Sequence, residues 1–494
     1  MGTASMKLSN ATLGQLPATV LRPTYDRTAV QPGIVHLGVG AFHRAHQAVM
    51  TDAVLASGDL RWGIVGAGLM TASTKNALAP QDGLYCLVER SADAETVRVV
   101  GSILQLLGGT QDLPRVLAQM AAPSTRIVSL TVTEKGYYLD VASGHLLLDA
   151  PAVAADLAHP LEPKTILGLI VQALRQRHDA GVPPFTVLSC DNLPNNGKTA
   201  KAAVVAFAEQ IDSTLANWIK GEVRFPCSMV DRITPATTDA DRGYVDAQLG
   251  LQDAWPIMTE GFVQWVIEDD FSMGRPDWTL GGAVFSSEIE AWEAMKLRCL
   301  NGAHSTLAYM GQLAGCETVA DAMNQPLITT LLDDLWAEVL EVLQAPSGVD
   351  PRDYVEQLKL RFRNPSLKHR TLQIAMDGSQ KLPQRLLTTL RERLARAMPC
   401  PALATAIAGW MHFAVKAAHT SGGTLNDPLA ANILLKAKIS LKPNEIVREM
   451  LSIQKIFGTD LTANAGFVAE LTHAFEQLAR HPEVATVASI AATH

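Results

Sequence analysis

The first half of the chain alternates short β-branched runs with longer stretches of helical periodicity, and this order limits the folds open to it. Parallel strands must be joined by a crossover of about a dozen or more residues, usually a helix. The region 165–180 shows such a helical pattern. Strands spaced in this way therefore predict βαβ units and a mainly parallel sheet, an α/β architecture. The predicted strands lie at 33–37, 62–65, 97–100, 126–132 and 185–189.

The second half has a different pattern. After about residue 292, apolar residues recur at helical spacing, which predicts a mostly α-helical region. A chain of 494 residues is also too long for one small core. We predict two domains, 1–288 and 289–494, with a boundary near 285–292. The predicted helices cover 297–310, 327–343, 383–397, 402–418 and 446–456, and 344–348 is predicted to be a loop.

Composition excludes several classes of protein. Hydrophobic residues make up 48% and charged residues 18%, which indicates a soluble globular chain rather than a disordered one. The net charge of -8 argues against a nucleic-acid partner. No run approaches the roughly 18 apolar residues of a membrane span, and we expect neither a membrane partner nor export. Six scattered cysteines without a CxxC pair favour a reduced, cytoplasmic compartment.

The first predicted strand runs into a turn with two glycines, Gly38 and Gly40, followed by Ala41, Phe42 and His43. Glycines at a strand-to-helix turn let the backbone approach a pyrophosphate, which binds free amides at the helix start. His43 stands where the usual fingerprint has its third glycine. The turn predicts a Rossmann-type dinucleotide site formed by these five residues; the alternative is a tight structural turn.

The turn after the second strand lacks the acidic residue that usually binds the ribose of NAD. It carries Ser73, Thr74 and Lys75 instead, and no carboxylate occurs before Asp82. These three residues can satisfy a 2′-phosphate, so the cofactor is predicted to be NAD or NADP, with NADP favoured. Alternatively, they begin an ordinary helix with a hydroxyl cap.

A short run of the second half places an amine, a carboxamide and an imidazole together: Lys296, Asn301 and His304. In an ideal helix of about 100° per residue, Asn301 and His304 point in neighbouring directions and Lys296 lies within about 140° of both. Such groups can handle the proton and the oxyanion of an alcohol oxidation. For the three side chains to converge, the lysine must extend fully or the helix must bend near Gly302.

Further polar residues follow predicted strands of the first half. Asn192 can donate a hydrogen bond to a developing alkoxide, or simply form a turn. Glu134 can lie at the cofactor edge of the sheet. Asp231 and Arg232 form a polar pair that is either functional or a salt bridge. No metal site is predicted, because neither HExxH nor paired CxxC occurs.

Taken together, the motifs resemble the mannitol dehydrogenase family of polyol-specific long-chain dehydrogenases and reductases. The resemblance covers almost the whole chain and is carried by 36–47, 189–192, 229–235, 264–269, 295–296 and 300–304. It implies a Rossmann-type domain followed by a helical domain, and metal-independent hydride transfer between NAD(P) and a secondary alcohol. It also implies Lys296 as general base, Asn192 and Asn301 as holders of the alkoxide, His304 as substrate-positioning partner, and Glu134 as proton relay.

The substrate is predicted to be a small sugar acid, polyol or ketose. The stretch 362–385 resembles the fructuronate reductase branch more than the mannitol branch, whose members tend to carry arginine where Gln373 stands. The stretch 192–197 is more like the polyol enzymes. His369, Arg370 and Lys381 can bind a carboxylate, or form a solvated basic face. Asp231 and Gln373 complete the candidate substrate-binding residues.

Three functions stay open at this point. The leading one is reversible reduction of fructuronate to mannonate at C2. The second is a mannitol 2-dehydrogenase or a related fructose or sorbose reductase. The third is a non-catalytic nucleotide-binding protein, which would not need the set Lys296, Asn192, Asn301 and His304.

Overall fold

The computed structural model describes residues 6–91, 94–140, 144–365, 368–440 and 442–480. It divides into two compact units, Met1–Ile289 and Glu290–His494. The strands all lie in the first unit: β1 (Pro32–Leu37), β2 (Gly63–Gly68), β3 (Tyr85–Arg90), β4 (Glu95–Val100), β5 (Ile103–Gly108), β6 (Ile127–Leu130), β7 (Thr186–Ser189), β8 (Ser228–Asp231), β9 (Ile257–Glu260), β10 (Gln264–Ile267) and β11 (Val284–Phe285).

The main sheet of the first unit has five parallel strands in the order β5-β2-β1-β6-β7. Both faces are covered, and neighbouring residues of one strand enter different cores. In β1, Ile34 belongs to one apolar cluster and Val35 to the other, and both are fully buried. Continuous apolar strands of this kind are expected where helices pack on both faces of a parallel sheet.

One predicted strand belongs elsewhere. Residues 97–100 fall in β4, which pairs with β3 antiparallel in a separate sheet of order β4-β3-β9. The connection between β3 and β4 spans only 91–94, too short for the crossover that a parallel pair needs. A third sheet has the order β11-β10-β8. The sequence prediction did not include the strands β3, β5, β8, β9, β10 and β11.

Helices connect the strands of the first unit. The predicted helix 165–180 is α6, whose N-cap Thr165 accepts a hydrogen bond from the amide of Gly168 at 3.0 Å. The helices are α1 (Ala41–Ala45), α2 (Gln47–Ala56), α3 (Ser73–Leu78), α4 (Leu113–Ala121), α5 (Pro151–Ala158), α6 (Ile166–Asp179), α7 (Asn196–Glu209), α8 (Ser213–Glu222) and α9 (Asp239–Leu249).

The second unit is helical wherever the structure describes regular elements. Its α-helices, counting α10 at the boundary, are α10 (Ile289–Met295), α11 (Gly302–Leu313), α12 (Val319–Met323), α13 (Pro326–Leu340), α14 (Pro351–Phe362), α15 (Thr371–Ile374), α16 (Gly378–Leu382), α17 (Thr388–Ala395), α18 (Pro401–His419), α19 (Ala430–Lys438), α20 (Pro443–Leu451), α21 (Gln454–Phe457), α22 (Asp460–Ala463) and α23 (Ala465–Arg480). Two π-helical segments, Lys296–Asn301 and Pro383–Leu387, interrupt this pattern.

The long helix α18 forms the centre of the second unit and packs against α11, α13, α19 and α23. The buried carboxylate of Glu338 on α13 accepts hydrogen bonds from the amides of Ala402 (2.7 Å) and Leu403 (3.0 Å) at the start of α18. It thus satisfies two amide donors that a helix leaves open at its N-terminus.

All six cysteines are buried free thiols. Among the described helices, none has the length and apolar character that a membrane span requires.

Candidate active site

The glycine turn after β1 lies at the carboxyl edge of the parallel sheet, where ligands bind in doubly wound folds. Gly38 has φ +100°, and a Cβ there would lie 2.1 Å from the Thr131 carbonyl oxygen, so only glycine fits. Gly40 lies beside open space, because the nearest atom to a Cβ placed there would be the Gly38 carbonyl oxygen at 3.8 Å. The turn therefore leaves room for close approach of a phosphate to the backbone.

The helix after this turn is broken at His46 into α1 and α2. Ala41 and Phe42 are half-buried at its start, whereas His43 is buried. The His43 ring stacks on that of His36, with centroids 3.4 Å apart and planes at 11°. Burial lowers the pKa of both imidazoles, that of His36 to about 3. At the third position of the fingerprint, His43 thus serves as a neutral packing group.

The turn after β2 gives its polar side chains other partners. Lys75 forms a salt bridge of 2.6 Å with Asp112, a carboxylate that also accepts the Gly108 amide at 2.8 Å. The Lys75 ammonium is the largest cause that lowers the pKa of Asp112. Thr74 donates to the Val39 carbonyl at 3.1 Å, and the Ser73 hydroxyl lies 3.1 Å from that of Thr71. The lysine charge predicted for a 2′-phosphate is therefore balanced by a carboxylate that sequence reasoning missed.

Asn192 follows β7, and a buried asparagine holds its loop. The Asn196 amide nitrogen donates to the carbonyls of Asp191 (3.0 Å) and Ser228 (2.8 Å), while its amide oxygen accepts the Ser228 amide at 2.9 Å. Gly197 is required next to it, because a Cβ would lie 2.4 Å from the Phe225 carbonyl oxygen. Asn195, directly before α7, adopts a left-handed conformation with φ 48° and ψ 45° and ends the turn of this stretch.

Glu134 follows β6, the strand that pairs with β7 in parallel register, Leu130 opposite Ser189. It is exposed and begins a short 3₁₀ helix, Glu134–Tyr137. Because parallel strands end at one edge, the first unit brings the glycine turn, Glu134 and Asn192 to the same edge of the sheet.

Asp231 and Arg232 have separate environments. Arg232 is buried and forms its salt bridge with Glu89, and it also donates to the carbonyls of Ala45 and Glu260. It therefore ties three segments of the first unit together. Asp231 is buried at the end of β8, in register with Gln264 of β10.

In the second unit, Lys296 and Asn301 begin and end a π-helical segment that leads into α11. In a π-helix the backbone bonds join residues five apart, so these two residues become neighbours along one face. In the α-helix assumed above they would be about 140° apart. The π-helix therefore brings the two residues to one face without the bend near Gly302 that an α-helix would require. Such segments occur frequently at functional sites.

Two buried polar groups of this segment lack hydrogen-bond partners among the described residues. They are the side-chain nitrogen of Asn301 and Nε2 of His304. Asn301 is only 5% exposed and His304 only 6%, and Lys296 is also 6% exposed. A buried polar group without a partner is costly. A bound ligand that supplies an acceptor would remove this cost for the Asn301 donor.

Cations surround His304. Its pKa is lowered well below the usual value, first by burial and then by His369, Arg361, Arg385 and Lys296. The His369 ring lies edge-on to His304 with centroids 5.2 Å apart, and burial and Lys381 lower the pKa of His369 to about 4. Both imidazoles are therefore neutral at pH 7.

Arg385, which the sequence analysis did not single out, comes from the second π-helical segment. Its guanidinium donates to the Asn301 carbonyl at 3.3 Å and to the Ser305 hydroxyl at 3.1 Å. Burial lowers its pKa to about 10, so it keeps its charge at neutral pH. Pro383 is the first residue of the predicted helix 383–397, a position where proline is tolerated, so nothing in the sequence indicates this second π-helical segment.

The other candidate substrate residues divide into two groups. Lys381 donates to the carbonyls of Ile374 (3.1 Å) and Met376 (2.6 Å), and its charge acts on His369. Gln373 is exposed on α15. Arg370 pairs with Glu317 at 3.1 Å with both side chains 70% exposed. The structure therefore places Lys381 with the histidines and gives Arg370 a surface ion pair instead.

Comparison with known proteins decides the family. The Mannitol dehydrogenase Rossmann domain matches residues 32–280, and the Mannitol dehydrogenase C-terminal domain matches 288–479. The chain belongs to the mannitol dehydrogenase family. The predicted family and fold class, and the assignment to the oxidoreductases, are confirmed.

Relatives within the mannitol dehydrogenase family are similar over nearly their whole length. The D-mannonate oxidoreductase of Escherichia coli is 44% identical over 93% of this chain and 96% of its own. Mannitol dehydrogenase 2 of Saccharomyces cerevisiae is 39% identical over 99% and 98%. The structure of Pseudomonas fluorescens mannitol 2-dehydrogenase, a ternary complex with NAD and D-mannitol, is 37% identical and has a TM-score of 0.85, covering 99% of this chain and 100% of that one.

Proposed function

We propose that this member of the mannitol dehydrogenase family transfers a hydride between NAD and C2 of a sugar acid, in the manner of fructuronate reduction to mannonate. The 44% identity with a D-mannonate oxidoreductase supports this substrate class. The family places the chain among oxidoreductases but does not separate sugar acids from neutral polyols.

The observation that carries the proposal is the set of cationic side chains near His304, with Arg385 among them. The charged groups that lower its pKa are all cationic, and Lys381 adds a further cation beside His369. Among the described residues, the hydrogen bonds of Arg385 go to two neutral oxygen atoms. A neutral polyol carries no group that pairs with the charge of Arg385. A substrate carboxylate would compensate it by charge-assisted interactions.

The proposed chemistry assigns one task to each group. When bound, the nicotinamide ring accepts the hydride in oxidation and returns it in reduction. Lys296 acts as the neutral amine that removes the hydroxyl proton. The amides of Asn192 and Asn301 donate to the oxygen as negative charge develops, which is worth about 2.7 to 4 kcal/mol per donor in a measured case. Glu134 passes the proton from Lys296 towards water.

We favour NAD over NADP as the cofactor. The glycine turn suits a dinucleotide, because Gly40 faces open space and Gly38 admits no side chain. The Lys75 ammonium is held in an ion pair with Asp112, which weakens its attraction for a 2′-phosphate. A relative was solved with NAD.

A neutral substrate is the second candidate. The solved relative was crystallised with D-mannitol, and 37% identity over the whole chain makes mannitol with fructose, or sorbitol with sorbose, a real alternative. Neither of these pairs carries a carboxylate.

The test is a matrix of initial rates for NADH and NADPH oxidation with fructuronate, tagaturonate, fructose and sorbose. We expect turnover with a uronate and NADH, and its loss in Lys296→Met. Lys220→Met, an exposed lysine of α8, is the matched control. Turnover of fructose without fructuronate would overturn the sugar-acid proposal. Tight NADH binding without turnover of any ketone would indicate the non-catalytic nucleotide-binding protein.

A further inference from the structure

Thr133, the residue directly before Glu134, has an unusual backbone conformation. Its φ of +65° and ψ of +169° fall in a region that essentially only glycine occupies. Threonine is β-branched, which makes positive φ still less favourable. Such a conformation persists only where the surrounding structure imposes it, and strain of this kind is typical of functional sites.

The carboxylate of Asp191 imposes the conformation. Its Oδ1 accepts hydrogen bonds from the backbone amides of Val132 (2.9 Å) and Thr133 (2.8 Å). Its Oδ2 accepts from the Tyr137 hydroxyl at 2.7 Å, at the other end of the 3₁₀ helix that Glu134 begins. One carboxylate thus holds both the residue before Glu134 and the end of the turn after it.

Asp191 is itself firmly anchored. It is 8% exposed, and it lies two residues beyond the end of β7, next to Asn192. The Asn196 side chain donates to its carbonyl at 3.0 Å, and the Cys190 amide before it donates to the Leu130 carbonyl of β6 at 2.8 Å. The Asp191 side chain therefore joins the loops after β6 and β7.

We propose that Asp191 is a positioning residue that holds Thr133 in a strained conformation and thereby fixes Glu134 relative to Asn192. The inference rests on the proposed relay role of Glu134. A glycine at 133 would adopt the same backbone without strain, but it would also allow others. The threonine combined with the Asp191 carboxylate leaves one position for Glu134, and errors of about 1 Å in such groups cost up to roughly a hundredfold in rate.

Thr133→Gly tests this directly. We expect kcat for uronate reduction to fall about tenfold, with KM for the ketone and for NADH within about twofold, since geometry rather than binding is lost. In a Glu134→Gln background the same change lowers kcat by less than about twofold, because the positioned group is already absent. Ala397→Gly is the matched control: this exposed residue also has positive φ, 54°, and its variant keeps wild-type kcat.

Tyr137→Phe and Asp191→Asn test the hydrogen bonds that the Asp191 carboxylate accepts. Both variants raise the amide hydrogen exchange of the peptide 130–138 in the protein without substrate, a readout that needs no turnover. Equal kcat losses from Thr133→Gly in the wild-type and the Glu134→Gln backgrounds would overturn the positioning role. An unchanged kcat in Thr133→Gly would also overturn it, as would unchanged hydrogen exchange in both Tyr137→Phe and Asp191→Asn. If Glu134→Gln alone keeps full kcat, the relay role in the proposed function fails, whatever the exchange data show.

Discussion

Arg385 provides a quantitative test of the substrate proposal, because Arg385→Gln removes one positive charge next to Asn301. The guanidinium remains charged at neutral pH and its recorded hydrogen bonds go to neutral oxygens. A carboxylate held roughly 6 Å from it would gain about 2.8 kcal/mol at an effective dielectric constant of about 20. Loss of that energy corresponds to about a hundredfold in kcat/KM, since about 1.4 kcal/mol is a factor of ten.

The charge acts only on a charged substrate, whereas the two hydrogen bonds affect every substrate through Asn301 and Ser305. We therefore expect the ratio of kcat/KM for fructuronate to that for fructose to fall by roughly ten- to a hundredfold in Arg385→Gln. Arg385→Lys keeps the charge and should preserve most of the ratio. The measurement is NADH oxidation with each ketone under subsaturating conditions.

The matched control is Arg391→Gln on the neighbouring helix α17, where the arginine is already paired with Asp460 at 2.6 Å. This variant should leave the ratio unchanged. An equal loss for both ketones in Arg385→Gln would refute the reasoning: the guanidinium would then position Asn301 without reading a carboxylate.

Two other predictions concern the cofactor and the pH dependence of stability. Asp112→Asn frees the charge of Lys75 and should raise kcat/KM with NADPH relative to NADH by at least about tenfold, the lower range for one charge-assisted hydrogen bond; an unchanged ratio would show that Lys75 does not reach the 2′ position. Buried His412 has its pKa lowered to about 4 by burial, so between pH 6.5 and 4 the unfolded chain binds the extra proton. The stability it contributes is present above pH 6.5 and is lost as pH falls, by about 1.4 kcal/mol per pH unit within that window. His412→Gln, which retains a donor for the Phe475 carbonyl, should reduce the slope of urea unfolding free energy against pH, and an unchanged slope would contradict this account.

Local sequence patterns predicted much of the fold. The helix α6 was predictable because apolar spacing and a capping threonine agree, and Thr165 does bond the Gly168 amide. The strand at 97–100 was located, but its sheet was assigned wrongly, because strand propensity does not specify the partner. A short connection to β3, itself unrecognised, determined the antiparallel pairing.

The candidate site was likewise only partly predictable from the sequence. Lys296, Asn301 and His304 were recognisable as chemical groups, and their roles stay predictions. Their mutual direction was not predictable, because the segment has ordinary helical character. The structure makes it a π-helix whose last carbonyl accepts a hydrogen bond from Arg385, a residue 84 positions further along the chain.

The sequence by itself determined the α/β class of the first unit, the helical class of the second, the glycine turn after β1, and the family to which the chain belongs. These depend on periodicity, on backbone freedom and on motifs, which are local properties. Only the tertiary structure decided that Asp112 balances Lys75 and that cations gather around His304. It also decided that Asp191 holds Thr133 against its own backbone preference, from 58 positions away. The physical reason is that pairing of charges and imposed strain depend on contacts between distant segments, and these exist only once the chain is folded.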